Sequence, residues 1–78
     1  MSEGRQTRAA RALLGWSQRD LAEAAGLSVP TVKRAEGDAQ LRASAAATAA
    51  IRSALERGGV EFIEPNGGGP GVRLRARG

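Results

Sequence analysis

Four side chains within seven residues carry the chemistry of this chain: Ser28, Thr31, Lys33 and Arg34. Arg34 can donate two parallel hydrogen bonds to guanine O6 and N7, a pairing worth about 1–3 kcal/mol of discrimination. Ser28 and Thr31 can donate hydroxyls to phosphate oxygens, and Lys33 adds a cation beside them. Gln18, ten residues earlier, stands where a helix begins, and the free N–H groups of a helix start also suit a phosphate. The competing reading of Lys33 and Arg34 is an ordinary solvated face. Catalysis finds no such cluster. There is no His and no Cys, which excludes disulfides, zinc fingers and thiol or imidazole catalysis. The carboxylates are scattered. No enzyme activity, metal, cofactor or small-molecule ligand is expected.

These residues need elements to hold them, and the stretch from Ser17 to Gly37 reads as two short helices joined by a turn at Gly26. Ser17 is a helix-capping type with Asp20 three residues on, close to a capping box. Leu21, Ala22 and Ala25 recur at helical spacing. Gly26 then stops the helix, since glycine enters the left-handed conformation at little cost. Leu27 seals the corner and Ser28 caps the next helix. Pro30 falls in its first turn, where a missing N–H costs nothing. Val32 and Ala35 continue the apolar face. Helices are thus expected over 18–25 and 29–36, as a helix-turn-helix that lays its second helix in the DNA major groove.

Gln18, Leu21, Ala22, Gly26, Leu27, Ser28, Val32, Glu36 and Gly37 together resemble the Cro/C1-type, or XRE-type, helix-turn-helix of phage repressors and small bacterial regulators. The resemblance runs from Arg11 to about Gly59. It implies that Gln18 contacts a phosphate and braces the recognition helix. It places Val29 and Pro30 against base edges, where relatives often carry Gln or another polar residue. Val29 can meet a thymine methyl or belong to the core, three residues from Val32. The resemblance also implies a buried ion pair between Arg11 and Glu36.

Outside the motif, a first helix is expected over 7–14, with Ala10, Leu13 and Leu14 inward and Gly15 ending it. A fourth starts near Ser44, buries Ala47, Ala50, Ile51, Ala54 and Leu55, and stops at Gly58-Gly59. Alanine favours these helices but buries little area. Leu13, Leu14, Trp16, Leu21, Leu27, Val32, Leu41, Ile51 and Leu55 must therefore supply most of the core. Trp16 is read as core rather than as a stacking platform. Beyond Gly59, Val60–Ile63 and Val72–Arg75 alternate around a Gly-rich loop and read as a β-hairpin. The loop lacks the lysine of a phosphate-binding loop. The fold class is mainly α: a four-helix domain over 1–59 with a C-terminal hairpin and basic tail over 60–78.

Seventy-eight residues allow one small core, marginal alone, so a homodimer is expected. Its interface is expected near Ile51, Leu55, Phe62 and Val72, with an edge strand able to pair across the two-fold axis. The net charge is +4, and eleven of twelve cations are Arg. Such a balance suits a polyanion; a merely soluble surface is the plainer reading. Arg73, Arg75 and Arg77 follow the last acid and read as a DNA-touching tail or, preferably, as the solvent face and end of a strand. No leader or membrane span is seen, so a cytoplasmic, nucleoid-associated protein is expected. The reading favoured is a dimeric, sequence-specific regulator of double-stranded DNA acting as a repressor. Two others compete. One is a protein-interaction module, such as an antiactivator or antitoxin subunit, on the same scaffold. The other is an excisionase-like architectural DNA binder, which would need the basic tail.

Overall fold

The computed structural model describes residues 3–37, 43–63 and 71–75. Helices α1 (Glu3–Leu14), α2 (Gln18–Ala25), α3 (Val29–Glu36) and α4 (Ala45–Gly58) precede a hairpin of β1 (Val60–Ile63) and β2 (Gly71–Leu74). The α2 start is a complete capping box. The Asp20 N–H donates to Ser17 Oγ at 3.0 Å, and the Ser17 N–H donates back to Asp20 Oδ2 at 2.8 Å. The Ser17 backbone N–H, and after it the Ser17 side chain, hold the Asp20 carboxyl below the ordinary Asp range. Gly26, at φ 70°, closes α2, and the Leu27 N–H returns to the Ala22 carbonyl at 2.9 Å. Ser28 and Ser44 cap α3 and α4 through the N–H groups of Thr31 and Ala47.

The helices wrap a core of Ala10, Leu21, Ala22, Val32, Ile51, Ala54, Leu55 and Val60. Leu14, Trp16 and Leu27 pack against it, half-buried. The hairpin is antiparallel, with Val60 opposite Leu74 and Phe62 opposite Val72. Cross-strand partners share a face, so these four side chains lie together. Val60 is fully buried in the helical core, and β2 packs on α1. The hairpin is therefore anchored to the helices, which a two-stranded ribbon needs in water.

Several expectations are corrected. Helix α1 starts at Glu3, four residues before Thr7. Leu13 points outward, 41% exposed. The inward face of α1 runs through Gly4, Thr7, Ala10 and Leu14, at helical i, i+3 and i+4 spacing that leaves Leu13 to the side. Strand β2 spans 71–74 rather than 72–75. Ile51 and Leu55 are consumed by the internal core, so they offer nothing to a second subunit. Leu41, the loop residues 38–40 and 65–70, and Arg77 lie outside the described residues.

Gly4 has a role that helical periodicity hides. A Cβ there would stand 2.7 Å from the Glu36 carbonyl oxygen and 3.1 Å from that of Ala35. The start of α1 thus rests directly on the backbone at the end of α3. Gly4→Val is expected to lose about 2 kcal/mol, as overpacking against backbone does. Ala9→Val, at an exposed site on the same helix, should lose only its few tenths of helix propensity. Thermal melts of the two variants check this; equal losses would mean that α1 does not bear on α3.

Candidate nucleic-acid interface

Helix α3 is gripped on one side and open on the other. Val32 and Glu36 are buried, and Val29 and Ala35 are half-buried against the core. Pro30, Lys33, Arg34 and Gly37 are exposed. They fall at i, i+3, i+4 and i+7, which is one stripe along a helix. Among the described residues, Arg11, Arg19, Arg52 and Arg73 each pair with a glutamate. Lys33 and Arg34 enter no such pair, so their charge is available to an outside anion.

The N-terminal end of α3 carries the hydroxyls. Ser28 Oγ accepts the Thr31 N–H at 3.2 Å and lies 2.8 Å from Thr31 Oγ1. One hydroxyl donates to the other, so one hydroxyl hydrogen is left to point outward. Arg34 and Thr31 share an open depression with Leu27, Ala43, Ser44, Ala46 and Ala47. It lies between α3 and the start of α4. The Val29 side chain is partly spent on the core, whereas Pro30 is exposed.

The rear of α3 is held by a polar network. Arg11 Nε donates to Glu36 Oε2 at 2.7 Å, and Arg11 Nη2 to Glu36 Oε1 at 3.1 Å. Arg11 Nη1 donates to the Trp16 carbonyl at 2.9 Å. Gln18 Nε2 donates to Glu36 Oε1 at 3.1 Å. The hydrogen bonds to Glu36 raise the Arg11 pKa; burial opposes this and the carboxylate charge adds to it. Each guanidinium bond is charge-assisted, and the fork geometry fixes the angle between α1 and α3. The bond from Gln18 ties the start of α2 to the same carboxylate.

The C-terminal arginines are placed differently. Arg73 Nε donates to Glu61 Oε1 across the hairpin at 2.6 Å. Arg75 Nη2 donates to the Glu56 carbonyl at 3.2 Å, near the end of α4. Arg57 Nη2 reaches the Ala24 carbonyl at 3.1 Å, near the end of α2. Arg57 and Arg75 thus reach carbonyls in the last turns of α2 and α4, the Glu56 carbonyl accepting the Gly59 N–H as well. The run of charge in the sequence hid these uses, because Arg75 and Arg57 meet backbone groups and Arg73 meets an acid twelve residues back across the hairpin.

Among the described residues no group of carboxylates could hold a metal ion, and no helix is long and apolar enough to cross a membrane. Residues 8–38, from α1 to just past α3, match the family described as Helix-turn-helix. No curated protein matches the chain.

Proposed function

We propose that this chain, which carries a DNA-binding helix-turn-helix of the Cro/C1 type, is a sequence-specific transcriptional repressor working as a two-fold dimer. The observation that carries this reading is the stripe of α3: two unpaired cations exposed on a helix whose opposite side is buried. Arg34 reads guanine in the major groove. Lys33, Gln18, Ser28 and Thr31 hold phosphates, which fix register without reading sequence. Pro30 and the exposed part of Val29 offer apolar contact to thymine methyls. Repression needs no surface beyond this, because occupancy of the groove excludes another protein. Such a protein acts in the cytoplasm, on the nucleoid.

One α3 spans a single half-site, so useful affinity favours a pair of domains one helical turn apart, about 34–36 Å. With Ile51 and Leu55 buried, the large apolar side chains left exposed among the described residues are Leu13 on α1 and two on the hairpin. Ile63 and Leu74 are exposed, and Phe62 and Val72 are half-buried. The outer edges of a two-stranded sheet also carry free N–H and C=O groups that a second copy can pair.

Three readouts test the proposal. Binding to duplex DNA should fall steeply with salt, by about 0.9 in log slope for each phosphate neutralised. Footprints on the preferred site should show two half-sites. Sedimentation at micromolar concentration should show the dimer. A single protected half-site at saturation contradicts the dimer. Absence of salt-dependent duplex binding leaves the protein-interaction reading, which the apolar Val29-Pro30 pair favours. The architectural reading has less to draw on, since Arg73 and Arg75 are engaged within the fold.

A further inference from the structure

We propose that Lys33 is a modification site: an activated acyl donor, an acyl phosphate or an acyl thioester, converts its ammonium to a neutral amide and so loosens the hold of α3 on DNA. This rests on the DNA-binding reading above.

The chain carries eleven arginines and one lysine. The two kinds of cation differ in chemistry. A guanidinium stays protonated throughout the pH range of a folded protein, so it offers no lone pair to an acyl carbon. A lysine amine does, once it gives up its proton. A free amino terminus aside, acyl transfer to an amine of this chain therefore has one target. That target lies on the open stripe of α3, between Pro30 and Arg34, and its side chain is exposed. Arg11, Arg19, Arg52 and Arg73 hold glutamates, and Arg57 and Arg75 hold carbonyls. Among the described residues Lys33 holds neither. No partner within the fold competes with the donor for the amine, and no internal pair is lost when the charge goes.

The transfer needs only the named donor. Neutral Nζ attacks the acyl carbonyl carbon and forms a C–N bond. The C–O bond to phosphate, or the C–S bond of the thioester, breaks. Inorganic phosphate or the thiolate leaves with the bonding pair, and Nζ gives one proton to water. The product has lost the positive charge.

DNA and the donor exclude each other. On a phosphate Lys33 is a covered ammonium without a lone pair, so only the DNA-free protein reacts. Arg34, one residue on, keeps its charge and its guanine contact. Phosphate contacts position and base contacts specify, so acylation lowers affinity for every sequence together and leaves base preference standing.

The test treats the full chain and Lys33→Arg, which keeps a cation that cannot be acylated. Acetyl phosphate is used in one arm and acetyl-coenzyme A in the other, each with and without duplex. Peptide mass spectrometry follows Lys33 beside a free lysine amide as reference amine. With duplex at about ten times its Kd, the reaction is expected to slow about tenfold by mass action. Acetylated wild type should bind about tenfold more weakly, as loss of a hydrogen bond to a charged group does. Its salt slope should fall by about one, with the ratio of matched to mismatched affinity unchanged. Treated Lys33→Arg should bind as it did before treatment, which removes the amino terminus from the account.

Reaction in one arm assigns the donor to that class, and reaction in both assigns it to activated acyl groups generally. Lys33 unmodified in both arms after the reference amine has reacted overturns the inference. So do equal rates with and without duplex, or an equal loss of binding in treated Lys33→Arg. A wild type that binds no duplex overturns the DNA-binding reading and this inference together. A wild type that binds duplex equally well before and after acetylation overturns this inference alone.

Discussion

Arg11→Ala is expected to cost about 3–5 kcal/mol of folding stability, the range for breaking a buried ion pair from one side. The Glu36 side chain is only 3% exposed, so the variant would leave a carboxylate with little water and only the Gln18 amide. For a domain of this size the whole stability is about 4–12 kcal/mol. Each kilocalorie is worth about 4–8 °C in Tm, so the melt should fall by at least about 12 °C. A paired replacement, Arg11→Met with Glu36→Leu, should recover most of the loss, since apolar groups of similar size often replace a buried pair at little cost. Thermal melts of the two variants beside wild type decide it. A Tm for Arg11→Ala within about 2 °C of wild type would mean the pair acts like an exposed surface bridge, worth at most about 1 kcal/mol.

The second large effect falls on binding and not on stability. Lys33→Ala with Arg34→Ala should weaken binding to the preferred duplex by about a hundredfold or more. Arg34 accounts for about 1–3 kcal/mol of that through its guanine contact. Lys33 accounts for a drop of about one in the salt slope. Both side chains are exposed, and surface substitutions of this kind change stability by about 0.5 kcal/mol or less. Arg34→Ala alone should relax base preference at one position, and Lys33→Ala alone should weaken all sequences evenly. Titration of matched and mismatched duplexes, with melts beside them, separates the two. Wild-type affinity in the double variant would remove α3 from the interface, and a collapsed melt would make these residues structural.

Much of the path to that interface is local, and it is legible in the chain. The caps at Ser17, Ser28 and Ser44 close on N–H groups three residues away. The stop at Gly26 depends on its own backbone freedom. The stripe of Pro30, Lys33 and Arg34 follows from helical pitch once Val32 is inward. Interactions of this range depend only on neighbouring residue types, so the helix-turn-helix and the alternation of the hairpin can be read from order alone.

Tertiary structure decided the rest, because each of those features depends on what a distant segment brings. Leu13 and Leu14 are equally apolar, and only the direction from which α3 and β2 approach α1 leaves Leu13 outside. Gly4 matters because the α3 backbone comes against it, thirty-two residues away in sequence. Arg75 and Arg57 look like free charge until the ends of α4 and α2 present carbonyls to them. Glu36 shows the division most clearly. The resemblance pairs it with Arg11, but Gln18 shares the same carboxylate oxygen only because the start of α2 and the end of α3 meet there. A buried carboxylate gathers every donor within reach, and the fold alone determines which donors those are.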